Sequence, residues 1–135
     1  MAEIVWETST AFFGRETEID LWFDGDRMGD HVLASVVRVT ADLGGYHLRA
    51  HRGMLEDWAL PDSAVRYYLD EEPSLAGLSA ADFVNRLHLV RIGIYPDSSD
   101  RPVVFDYTTG RDLTDNLLVA VFDTEGRLTG LTVES

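Results

Sequence analysis

Near Leu87 the hydrophobic pattern of this chain changes period. Upstream, apolar residues recur at helical spacing. Downstream, they alternate or run continuously over short stretches, as in strands. Few architectures accommodate that switch. His88 to Tyr95, Val103 to Thr108, Leu117 to Asp123 and Arg127 to Val133 read as four strands. Short links separate them, with turn signals at Pro96-Asp97, Thr109-Gly110 and Glu125-Gly126. Short links between consecutive strands favour antiparallel neighbours. Leu117 to Phe122 is apolar on both faces, which predicts an internal strand.

Two more strands precede the helices. Glu3 to Thr8 is one. Glu16 to Phe23 is the other, and it alternates cleanly. Thr17, Ile19, Leu21 and Phe23 share one face, and Glu16, Glu18, Asp20 and Trp22 share the opposite one. Asp24-Gly25-Asp26 supplies turn chemistry at its end.

Four helical segments are expected next. Asp30 is positioned to cap the first, which carries Val32, Leu33, Val36, Val37 and Thr40 and breaks at Gly44-Gly45. The second, Tyr46 to Leu60, has Leu48, His51, Leu55 and Trp58 on one stripe and stops at Pro61. Pro61-Asp62-Ser63 opens the third, with Val65, Tyr68 and Leu69 apolar. Ser79-Ala80-Ala81-Asp82 resembles a capping box and begins the fourth, with Phe83, Val84 and Leu87. The expected fold is a single α+β domain over residues 1–135. It has one antiparallel sheet, built from an N-terminal hairpin and a C-terminal four-stranded meander, with three to four helices packed on one face.

At 135 residues such a chain buries roughly two-thirds of its extended surface, enough for one core. Its charge restricts partners. There are 24 acidic and 11 basic residues, for a net charge of −13, and every base is Arg. Nucleic acids and anionic lipid surfaces repel such a chain, whereas basic proteins attract it. The absence of cysteine excludes disulfides and thiolate chemistry. Met1 to Trp6 shows no basic region followed by an apolar run, so the cytoplasm is the expected compartment.

No pattern of residues spells out a reaction. His47 and His51 stand four apart, so one helix face presents both, with Glu56 or Asp57 as conceivable third metal ligands. Leu48 occupies the place where a zinc-protease motif has Glu, and the pair reads as surface or half-buried histidines. There is no nucleophile elbow, phosphate-binding loop or dinucleotide fingerprint. Carboxylate pairs such as Asp24 with Asp26 and Asp97 with Asp100 are expected by chance in so acidic a chain. Asp112 and Asp115 read as turn chemistry. The expectation is no enzyme, no cofactor and no metal.

Trp22 among Glu16, Glu18 and Asp20 has the composition of a protein-binding surface, and Arg91, Tyr95, Asp106 and Thr108 extend it if the strands align. A binding module for a basic protein is therefore the leading expectation, as a monomer or homodimer. A housekeeping subunit is the alternative, and a small hydrolase using surface carboxylates is less favoured.

The C-terminal third carries a further signal. Ile92-Gly93-Ile94-Tyr95-Pro96-Asp97 is followed by Phe105-Asp106-Tyr107-Thr108-Thr109-Gly110 and Leu113-Thr114-Asp115. Then come Leu117-Leu118-Val119, Val121-Phe122-Asp123, Gly126 and Thr132-Val133-Glu134-Ser135. This series resembles the bacterial family called domain of unknown function 2004, departing from it at Thr109 and Arg111-Asp112. The resemblance implies no catalytic residues. It implies the company of secreted-toxin genes, and so an immunity-type role neutralising a basic toxin.

Overall fold

Alternation in the second strand and at the C-terminus produces one six-stranded sheet. The computed structural model describes residues 3–12, 14–23 and 29–135. The expected turn and carboxylate pair at Asp24-Gly25-Asp26 lie outside the described residues. The strands are β1 (Glu3–Phe12), β2 (Arg15–Phe23), β3 (His88–Ile94), β4 (Val103–Thr108), β5 (Leu117–Phe122) and β6 (Leu128–Glu134), and they lie side by side in chain order. The helices are α1 (Asp30–Ala41), α2 (Leu43–Asp57), α3 (Ala64–Asp70) and α4 (Ala80–Arg86).

The sheet is mixed, which corrects the all-antiparallel expectation. β2 and β3 run parallel, with Glu18 opposite Arg91, Ile19 opposite Ile92 and Asp20 opposite Gly93. The reason is the connection. All four helices lie between these two strands. A crossover of that length returns the chain to the end where β2 began, and parallel pairing requires such a crossover. Every other neighbouring pair is antiparallel.

The helices end where local chemistry dictates. The Ser63 hydroxyl accepts from the Arg66 N–H, and the Ser79 hydroxyl accepts from the Asp82 N–H, so both serines cap as their patterns predict. Two expectations need correction. Gly29, not Asp30, is the N-cap of α1. The break between α1 and α2 falls at Asp42, with Gly44 and Gly45 inside α2. At Gly45 the exposed Asp42 carboxylate folds back over the place a Cβ would take.

The helix α2 also faces another way than its large residues suggest. Leu48 and Leu55 are 52% and 44% exposed, while Tyr46, Ala50 and Met54 are buried. The Leu128 side chain of β6 occupies the space a Cβ on Gly53 would need. The small residues thus form the face that approaches the sheet closely. Ile19, Leu21, Ile92, Ile94, Phe105, Tyr107, Leu118 and Phe122 meet the helices in one continuous core. Tyr46 stacks on Phe105, with ring centroids 5.4 Å apart, and meets Phe122 edge-on at 4.9 Å.

Candidate functional site

The other side of the sheet carries a second, smaller apolar cluster of Val104, Val119 and Val121, with Tyr95 and Leu117 packed against it. Among the described residues no helical side chain belongs to it. Strand alternation puts Glu16, Glu18, Asp20 and Trp22 of β2 on this outer side.

At its centre Arg91 and Asp106 stand directly opposite each other on β3 and β4. Arg91 Nε donates to Asp106 Oδ2 at 2.9 Å, and a terminal guanidinium nitrogen approaches the same oxygen at 2.7 Å. The Asp106 carboxylate is buried while the guanidinium stays partly exposed. Burial raises the Asp106 pKa, outweighing the lowering by its bond to Arg91. For Arg91 burial acts downward, but the hydrogen bond and charge of Asp106 prevail and raise it. Burial thus dominates at Asp106, and the partner's charge dominates at Arg91.

Beside this pair lies an aromatic platform. Trp22 and Tyr95 stack with centroids 5.9 Å apart and planes 19° from parallel. Gly93 makes it possible. A Cβ at Gly93 would stand 2.7 Å from the Tyr95 ring and 2.9 Å from Val104. Both aromatics are half-buried, and burial raises the Tyr95 phenol pKa. Next to Tyr95 is a cavity of about 350 Å³, lined also by Ser98, Arg101, Val104 and Glu134. The Arg101–Glu134 ion pair, at 2.7 Å, closes one side of it.

The structure therefore brings Glu18, Asp20, Trp22, Arg91 and Asp106 onto neighbouring strands, with Tyr95 just past the end of β3 and Glu16 exposed at the start of β2. Asp20 and Asp106 are buried within the face rather than displayed on it. Thr108 does not belong to the surface and is a correction. It is fully buried, and its hydroxyl accepts the Gly110 N–H at 3.1 Å and lies 3.4 Å from the Tyr68 hydroxyl of α3. At the last position of β4, it is covered by Tyr68 of α3.

No family model, no curated protein and no solved structure matches this chain.

On the helical side His47 and His51 do share a face of α2, with ring centroids 4.1 Å apart. His47 Nδ1 is hydrogen-bonded to the Tyr107 hydroxyl at 2.9 Å. Asp57 is not beside them as a ligand. Its Oδ2 accepts from the Ser63 hydroxyl at 2.7 Å and from the Val65 N–H at 3.0 Å, tying α2 to α3. Among the described residues no group of three His, Asp or Glu side chains is arranged to hold a metal ion. Sequence reasoning missed two neighbours of this pair, Tyr107 and His88. His88 opens β3 and Tyr107 lies 60 residues from His47, so only the tertiary fold brings them together.

Proposed function

We propose that this protein is a non-enzymatic binding module of the cytoplasm that takes a basic protein on the outer face of its sheet. One observation carries the reading. A stacked Trp22–Tyr95 pair lies on a face whose apolar cluster, among the described residues, includes no helical side chain. Aromatic anchors flanked by charge are the usual energetic centre of a protein interface.

Charge selects the partner. The single arginine at the centre of the face is already matched by Asp106. Among the described residues no ion pair holds Glu16 or Glu18, and the whole chain carries −13. Lysine and arginine of a partner are drawn to such a face, which speeds encounter, and burial of Trp22 slows release. No helix among the described residues is long and apolar enough to cross a membrane. Neutralisation of a basic toxin is the specific form of this reading, suggested by the resemblance in the C-terminal third.

The test is capture from native cells, followed by affinity measurement with the purified partner between about 0.05 and 0.5 M salt. A basic partner whose affinity falls steeply with salt is expected. Capture of none, or of an acidic partner indifferent to salt, overturns the reading.

A further inference from the structure

A second pocket, of about 280 Å³, lies on the helical side among α2, the end of α4 and the first residues of β2 and β3. Its floor includes Leu87 and Leu89, both buried. Its polar lining is Arg15, His47, His51, Asn85, Arg86 and His88. No lining residue is acidic, in a chain where acids outnumber bases by more than two to one. Two of the eleven arginines, Arg15 and Arg86, both exposed, line it.

We propose that this pocket binds the phosphoryl group of a small molecule or inorganic phosphate itself. Guanidinium groups with an amide and imidazoles offer many donors, which suits a tetrahedral group with several acceptor oxygens better than a carboxylate with two. His51 Nε2 is buried and makes no hydrogen bond among the described residues. An orphaned polar atom of this kind is costly, and a small shift of its ring toward the pocket would let a ligand oxygen satisfy it. The Tyr107 hydroxyl holds the His47 ring in place.

Burial lowers the His47 pKa to about 4, with the neighbouring His51 pushing the same way. Burial lowers His51 as well, and His88 is lowered by burial and then by Arg15. From the β4–β5 loop Arg111 lowers His88 further, and Asp112 opposes it. The three imidazoles are thus held neutral near pH 7, and the positive charge of the pocket comes from Arg15 and Arg86. An arriving dianion raises the imidazole pKa values. This site is separate from the partner face and stands or falls without it.

The experiment uses the full chain and its Arg15→Gln and Arg86→Gln variants, titrated calorimetrically at constant ionic strength with inorganic phosphate, glycerol 3-phosphate and acetate. Both arginines are exposed, so ligand-free melting should be unchanged in the variants. Saturable phosphate or phosphomonoester binding is expected, weakened about tenfold or more in each variant, the loss of one charge-assisted hydrogen bond. NMR should show the His47 pKa rising from about 4 on binding. Tighter binding of glycerol 3-phosphate than of phosphate assigns the site to an esterified ligand, and equal or weaker binding assigns it to the free ion. The proposal is overturned if neither phosphate species saturates, if acetate binds as tightly, or if both variants bind like the wild type.

Discussion

Replacing Arg91 with Met removes the one ion-pair partner, among the described residues, of a carboxylate that is almost wholly buried. Breaking a fully buried pair costs about 3–5 kcal/mol, because the remaining charge is left desolvated. The Arg91 side chain keeps 41% exposure, so water partly replaces it and the expected loss falls to about 2 kcal/mol at neutral pH. The loss should depend on pH with a defined sign. Burial already raises the folded-state pKa of Asp106 above its ordinary 3.8, and removal of Arg91 raises it further. A carboxylate with a raised folded pKa favours folding when protonated. The penalty is therefore absent below about pH 3.8, grows as pH rises, and is complete above the folded pKa of the variant. Urea unfolding of wild type and Arg91→Met at about pH 7 and about pH 4.5 measures it. The double variant Arg91→Met/Asp106→Leu should return to within about 1 kcal/mol of wild type, since an apolar pair needs no compensating charge. A variant cost that is the same at both pH values, or a double variant no better than the single, would refute the reasoning.

Three further perturbations follow from close packing and burial. Gly93→Ala should cost about 1–3 kcal/mol in chemical denaturation and change the near-ultraviolet circular dichroism, because the new methyl displaces the Tyr95 ring from Trp22. Gly53→Ala should cost about 1–3 kcal/mol by driving α2 away from Leu128, with no matching loss in Gly44→Ala, where no atom lies near the added methyl. His47, held down to about 4 from an ordinary 6.5, should contribute stability that is full above pH 6.5 and is lost as pH falls toward 4. The difference in unfolding free energy between wild type and His47→Gln should shrink across that interval.

The strands after Leu87 were readable because each alternates or is apolar throughout, and β5 is indeed internal. The parallel pairing of β2 with β3 was not readable. It depends on how the helices between them cross the sheet, which local periodicity does not encode. The face of α2 was misread for a different reason. Ala50 and Gly53 add nothing to a hydrophobic stripe, yet their smallness is what lets the helix approach β6. At the outer face, alternation sufficed to group Glu16, Glu18, Asp20 and Trp22. The adjacency of Arg91 to Asp106 required the register, and the burial of Thr108 depends on Tyr68, 40 residues away. The grouping of His88 and Tyr107 with His47 and His51 spans sequence distances over which no spacing rule operates.

The most direct measurement compares partner affinity in Trp22→Ala with that in Tyr67→Ala. Tyr67 is 58% exposed on α3, in the helical layer, so it controls for the loss of any surface aromatic. Truncation of a central aromatic anchor typically costs about 2 kcal/mol or more, some thirtyfold in affinity, roughly speaking. The expected result is a loss of that size in Trp22→Ala and an unchanged affinity in Tyr67→Ala. Unchanged binding in Trp22→Ala, or a loss confined to Tyr67→Ala, would contradict a partner seated on the outer face of the sheet.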